Sequence, residues 1–279
     1  MISFFANLFG YLLNFLYNLI QNYGLSIILF SIIVKIVLLP ISINQQKTMK
    51  KSAKVQEEIK KLQVKYKNNP EELQRETMEV YKKEKMNPFG GCFSAIIQII
   101  LLFSVFYLVR CPLTYMKKVD PSVIENYTNE INEEGRKDAY PEISIIREKA
   151  ANDETVYINM EFLGLDLSSI PSRDISDWKT YVIPVLYVIS TFISMKITTS
   201  MQKKQSSKVD EEGKDGEKEI ANMDDVMMQT NRNMTYMMPI LAVSISLVAP
   251  LGLALYWLVN NIIMTTERLL LNRFIKDKE

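Results

Sequence analysis

Apolar and polar positions in this chain are segregated into long blocks. No charge occurs from Asn233 to Thr266, a run of 34 residues, or over the 17 residues from Phe93 to Val109. Residues Gly24 to Ile43 carry one charge, Lys35, and Tyr181 to Thr198 is almost as apolar. About 20 apolar residues suffice for a helix to cross hydrocarbon. The pattern therefore predicts an all-α membrane protein with five transmembrane helices, at residues 23–43, 91–115, 180–200, 233–248 and 251–267. The longest run exceeds one span and holds Ala249-Pro250-Leu251-Gly252 near its middle, so it divides into two short helices around a tight turn.

The segments between these blocks differ in character. Residues 1–22 are apolar and aromatic, but Asn7, Asn14, Asn18 and Gln21 recur at helical spacing. They lack the basic start and small-residue cleavage site of a signal peptide. An amphipathic helix on the extracytoplasmic surface is predicted, with a true span as the alternative. Pro40 closes the first span. Residues 44–90 form a basic helical hairpin broken at Asn68-Asn69-Pro70, with twelve bases against seven acids over 44–86. Residues 116–179 form an acidic loop, with fourteen acids against seven bases over 117–178. Residues 201–232 read as a flexible loop, and 268–279 as a tail.

Charge placement orients this arrangement. The hairpin, Lys203, Lys204, Lys208, Arg232, Arg268, Arg273 and Lys276 share one side if there are five spans. The positive-inside rule makes that side cytoplasmic, which puts the N-terminus and acidic loop outside and the chain in a bacterial plasma membrane. Arg110, Lys117 and Lys118 run against the rule.

Composition removes several chemistries. With no histidine there is no imidazole base or imidazole metal ligand. The two cysteines, Cys92 and Cys111, lie 19 residues apart in one predicted helix, roughly 28 Å, which is too far for a disulfide. Gly90-Gly91 is not followed by the GK[ST] of a phosphate loop. No cofactor, metal or catalytic residue is expected, and a net charge of +1 gives no reason to expect specific DNA binding.

Polar residues inside the spans carry the remaining information. Gly24, Ser31, Lys35 and Ser42 lie within about 40° of each other on a helical wheel. The third span repeats the design with Tyr187, Thr191, Ser194 and Thr198, flanked by Ser190. The last does so with Trp257, Asn261 and Met264, flanked by Asn260, and the second adds Ser94 and Gln98. Hydroxyls and amides of this kind commonly join helices by hydrogen bonds. A mid-span lysine costs on the order of 3 kcal/mol on insertion scales. No Asp or Glu falls within the uncharged runs, so Lys35 is expected to lack a counter-ion and to sit in a water-filled polar cavity. The last two spans, at roughly 24 Å, are shorter than the typical 30 Å of hydrocarbon and would thin the bilayer beside it.

Several stretches resemble the YidC-type membrane protein insertases: NYGLSIILFSIIVKIVLLP (Asn22–Pro40), the basic hairpin, NPFGGC (Asn87–Cys92) and APLGLALYWLVNN (Ala249–Asn261). With the order of spans, these cover about two thirds of the chain. The resemblance implies five transmembrane helices around a hydrophilic groove that is open to cytoplasm and lipid and closed to the outside. It places Lys35 at the groove's basic position, where relatives usually have arginine, with Ser31, Gln98, Ser190, Thr191, Ser194, Trp257, Asn260 and Asn261 as the expected lining. Lysine lacks the guanidinium fork. Ser194 stands where relatives often have glutamine, and the second span lacks prolines common there. The outer loop is longer than usual. No early cysteine suits lipid attachment, which resembles Gram-positive members without a lipoprotein signal.

The implied function is that of an insertase and chaperone. It would move short hydrophilic segments of nascent membrane proteins outward and release their apolar segments into lipid, without nucleotide and without bond chemistry. Partners would be the nascent chains and the bilayer, with the Sec translocon, ribosome and targeting factors approaching the basic hairpin. A hairpin made basic only by the positive-inside bias is the equal alternative. Met223, Met227, Met228, Met234, Met237 and Met238 are read as helix filling, with an adaptable client surface as the alternative. Two rival functions remain. One is a solute transporter or channel using Lys35 as its site; the other is an assembly factor that shields helices without translocating anything.

Overall fold

The computed structural model describes residues 1–67, 69–84, 90–133, 138–206 and 244–276. It is helical almost throughout, with one two-stranded ribbon. Helix α1 (Ile2–Ile20) ends on Gln21 in the left-handed region, and Asn22 caps the next helix by accepting from the Leu25 N–H at 3.0 Å. Across this two-residue turn α1 doubles back on α2 (Tyr23–Lys65), bringing the rings of Phe9 and Phe30 to 5.7 Å.

The face of α1 carrying Ala6, Gly10, Leu13 and Tyr17 is buried. Phe4, Leu8, Tyr11, Phe15 and Leu19 form an exposed stripe on the opposite side. The expected polar positions Asn7, Asn14, Asn18 and Gln21 fall on a flank between these two apolar faces. A helix apolar on two sides is less one-sided than the sequence reading expected, and α1 is long and apolar enough to cross a membrane. Gly10 is required because α4 ends close by: a Cβ there would lie 1.9 Å from the Tyr115 carbonyl oxygen.

Helix α2 differs from expectation at Pro40, which does not end it. The helix continues for 43 residues, roughly 64 Å, so the first span and the first arm of the hairpin are one rod. Proline removes one backbone hydrogen bond, and a helix held on both sides by neighbours absorbs that loss. The rod ends at Tyr66. Asn69 then caps α3 (Pro70–Lys83), which folds back along α2 as the hairpin's second arm.

Helix α4 (Gly90–Arg110) stops before Cys111-Pro112 instead of running to residue 115, and a π-turn, Leu113–Lys117, follows. Helix α7 (Val182–Ser206) enters through a short 3-10 turn, Trp178–Tyr181. Helix α8, of which residues 244–248 are described, meets α9 (Leu251–Lys276) across Ala249-Pro250. The expected fourth span is otherwise outside the described residues. So are most of the 201–232 loop with its methionines, the Asn87-Pro88-Phe89 part of NPFGGC, and the chain's last three residues.

Three helical segments are long and apolar enough to cross a membrane among the described residues: Ile2–Ile20, Tyr23–Thr48 and Trp178–Ser200. Their outward faces carry Leu29, Ile36, Val37, Val185, Ile189, Phe192 and Ile193, all exposed. Such continuous apolar surface matches lipid as the surrounding solvent.

The acidic segment is a folded cap. Helices α5 (Pro121–Glu133) and α6 (Pro141–Lys149) precede the ribbon β1 (Glu161–Phe162) and β2 (Leu165–Asp166), paired antiparallel. Ile131, Ile143, Ile145, Ile146, Val156, Ile158, Met160 and Leu167 give it an apolar interior continuous with the bundle core. The cap is joined to the helix ends by backbone hydrogen bonds. Asn159 accepts from the Tyr23 N–H at 3.1 Å, Ser169 from Leu251 and Leu167 from Gly252, both at 2.9 Å. A Cβ on Gly24 would lie 2.5 Å from the Phe162 ring, so Gly24 serves cap packing, not the polar stripe.

Salt bridges on the cap close this frame. Arg147 donates two bonds to Asp174, at 2.9 and 3.0 Å. Arg173 forks onto Asp138, at 2.6 and 3.2 Å. Burial alone would raise the Asp138 carboxyl; the Arg173 guanidinium, the Ser144 hydroxyl and the Tyr140 N–H outweigh it and hold the group at about 2. The three basic residues that ran against the expected orientation all have partners, two of them in the cap and one on α1. Arg110 donates to the Ala139 carbonyl at 2.7 Å, Lys117 to the carbonyls of Glu154 and Tyr157, and Lys118 to Asn7.

Candidate functional site

Helix α9 lies between α7 on one side and α2 on the other, and the predicted site residues collect along these two contacts. α7 and α9 both start at the cap and run away from it, so their polar residues meet at a constant offset. Asn261 Nδ2 donates to Ser190 Oγ at 3.0 Å and to Thr191 Oγ1 at 3.3 Å. One turn further from the cap, Thr265 Oγ1 donates to Ser194 Oγ at 2.9 Å. A further turn on, Arg268 donates to Thr198 Oγ1. Nearer the cap, the Tyr187 and Trp257 rings pack 6.2 Å apart, tilted by 35°.

Ser190 and Thr191 thus accept from Asn261, and Ser194 from Thr265, across a helix contact, while the Ser190 hydroxyl donates to the Tyr187 carbonyl of its own helix at 2.8 Å. This is the helix-joining role that such residues ordinarily have. Asn260 is turned toward Met264 Sδ, at 3.5 Å on its own helix. Ser31 is buried and donates to the Ile27 carbonyl at 2.7 Å, again within its own helix. Gln98 lies in α4, and its side chain is outside the described residues.

Lys35 behaves differently from these neutral residues, and here the structure corrects the sequence reading. The lysine has a counter-ion: its Nζ lies 2.6 Å from Glu267 Oε2 on α9. Ser42 Oγ is its other neighbour, at 3.5 Å. The two charged side chains are 19% and 10% exposed. Glu267 Oε1 is buried with no hydrogen-bond partner among the described residues.

Glu267 was missed because it directly follows the uncharged run, as the last residue of the predicted 251–267 span, and was read with the charges that resume there. Depth was the available signal. Lys35 lies twelve residues along α2, roughly 18 Å from its capped end, and Glu267 sixteen along α9, roughly 24 Å. Both are well below the cap and within about 30 Å of it, the thickness of hydrocarbon. Thr265 was missed as well, although it sits on the α9 face that carries Asn261.

These features define a helical, multi-span membrane protein with a folded cap at one end of its bundle and a charged pair shared between two of its helices. The comparisons with known proteins identify which kind. Residues 15–278 match the family described as 60Kd inner membrane protein. A protein of Fusobacterium nucleatum subsp. nucleatum named "Membrane protein insertase YidC" is 27% identical over 270 residues, 95% of this chain and 96% of that one. One of the same name from Caldanaerobacter subterraneus subsp. tengcongensis is 26% identical over 96% of this chain and 93% of its own length. A third, from Chlorobaculum tepidum, is 27% identical over 95% of this chain but only 35% of its own length. The chain belongs to the 60Kd inner membrane protein family, that of the YidC-type insertases.

Proposed function

We propose that this protein inserts nascent membrane proteins, carrying their short hydrophilic segments through a polar groove among five transmembrane helices and releasing their apolar segments into lipid. The observation that carries this reading is the Lys35 site: a lysine only partly buried, at membrane depth, in a bundle whose outer helix ends are tied to a folded cap. A polar site beneath an outer cap suits a client entering from the opposite side, and family membership points the same way. The solute-transport alternative gains no such support from the comparisons.

The mechanism follows from partitioning. A client's hydrophilic tail crosses hydrocarbon more easily where the Lys35 ammonium and the Asn260 amide supply polar partners. Burial of the client's own apolar span in lipid then drives release, without nucleotide. In this scheme the N-terminus and the cap lie outside and the hairpin in the cytoplasm, where its basic arms would meet ribosomes, targeting factors or the Sec translocon.

Synthesis of a short single-span client beside vesicles holding only the purified protein tests the proposal. Protection of its translocated tail from added protease should rise well above that of empty vesicles, and Lys35→Ala should lower it for acidic tails. Background protection with folded, correctly oriented protein would defeat autonomous insertion, and solute flux under those conditions would favour the transporter.

A further inference from the structure

Glu267 has no place in the mechanism so far, and it is placed to change what Lys35 does. Its carboxylate holds the lysine at 2.6 Å, its side chain is nine-tenths buried, and its second oxygen keeps its acceptor capacity unused among the described residues. Truncating either partner of such a pair leaves the other charge uncompensated, so the pair acts as a unit. The next residue, Arg268, is bonded to Thr198 on α7, which leaves Glu267 as the group facing Lys35.

We propose that Glu267 is a specificity-determining residue of the groove, masking Lys35 against acidic client segments and accepting cationic ones. This rests on the insertase reading. An acidic side chain approaching Lys35 meets the like charge of Glu267 and must displace it. A client lysine or arginine meets the opposite charge of Glu267 and, once the packing over the buried Oε1 gives way, gains a charge-assisted bond to an oxygen that is already desolvated, without breaking the Lys35 bond to Oε2. The pair therefore lets one groove handle tails of either sign, where a lone cation would favour acidic tails and reject basic ones.

The test uses purified full-length protein in vesicles of phosphatidylethanolamine and phosphatidylglycerol. A single-span client is made in three versions, with a translocated tail carrying aspartates, lysines or only neutral polar residues. Glu267→Gln should raise protection of the aspartate tail about twofold, lower that of the lysine tail about twofold, and leave the neutral tail unchanged. A purely structural bridge would instead lower all three together, and that result overturns the proposal.

Should Glu267→Gln fail to fold, the double variant Lys35→Gln with Glu267→Gln replaces the pair by two hydrogen-bonding amides of similar shape. Both charged tails should then fall relative to the neutral one, and charged tails inserted as well as in the wild type would refute the idea. If folded wild-type protein protects no tail at all, the insertase reading fails and this inference falls with it. Wild-type insertion with no charge-dependent change in either variant removes the inference alone.

Discussion

Removing the Glu142 carboxylate should loosen the cap from the bundle, and the structure sets the size of the effect. Glu142 begins α6 and is 4% exposed. Its Oε2 accepts the N–H groups of Leu113 at 2.7 Å and Thr114 at 3.0 Å, and its Oε1 accepts the Thr114 hydroxyl at 2.5 Å. All three donors belong to the π-turn that ends the α4 segment. Glu142→Ala leaves the buried Leu113 N–H without a partner, at about 1–3 kcal/mol. Thr114 is exposed enough for water to replace its two bonds. With lost packing, the total should be about 2–4 kcal/mol. At about 2–4 °C per kcal/mol, thermal unfolding in nanodiscs should shift down by roughly 4–16 °C.

Glu142→Gln retains an oxygen for both N–H groups, so it should cost about 1 kcal/mol. The wild type also differs from both variants in pH dependence, because only it carries a titrating group at 142. Burial raises the Glu142 carboxyl above its ordinary value, and the bonds from Thr114 and Leu113 reverse this only in part. A raised carboxyl contributes stability that is present below the unfolded value and lost as pH rises through the folded one. The wild type should therefore gain on Glu142→Gln as pH falls toward 4. Two results would refute the reasoning: an alanine variant within about 1 °C of the wild type, or a glutamine variant as damaged as the alanine one.

Two further perturbations probe the frame that holds the site. Gly10→Ala forces a Cβ to 1.9 Å from the Tyr115 carbonyl oxygen, whereas Gly24→Ala meets Phe162 side-chain atoms at 2.5 to 2.8 Å, a less severe clash though one that rotation of the ring alone does not clear. The first should cost about 1–3 kcal/mol and the second less, and equal melting temperatures would contradict the close-approach argument. Asp138→Asn removes the anion that Arg173 holds. Because that carboxyl is depressed to about 2, its contribution is present above the unfolded value near 3.9 and lost as pH falls through about 2. The variant should be less stable by about 1–2 kcal/mol at neutral pH, with the difference closing below pH 3 when melting is followed against pH.

Much of the membrane framework was legible because hydropathy and punctuation agree in those segments. The apolar stretch after Gly24, with its single charge, and the apolar run after Tyr181 each became a helix with an exposed apolar face. The Asn69-Pro70 signal ended α2 and capped α3 as expected. Pro40 misled because its cost is local, one hydrogen bond, while the neighbours of a bundle helix hold its path. The cap was illegible for a different reason. Fourteen acids made residues 117–178 look like a solvated loop, but isoleucines at 131, 143, 145, 146 and 158 suffice for an apolar interior once the segment can borrow the bundle's own core. Average charge hid a pattern that only tertiary contact completes.

The site shows most clearly where reading along the chain stops working. The sequence marks a span's edge where charges resume, but the bilayer marks it by depth. A helix that starts just after Pro250, against the cap, and runs straight for 26 residues carries the first charge of its tail to the level of a lysine 232 positions earlier. The short final span that suggested bilayer thinning is the same feature that brings Glu267 to Lys35. If membrane depth, and not the uncharged run, sets the limits of the groove, its inner end must be judged by what lies level with Lys35 on every helix. On that criterion Thr265 and Glu267 belong to it and Ser42 joins them through its contact with Lys35 Nζ, while the Ser31 hydroxyl is taken up by the Ile27 carbonyl of its own helix.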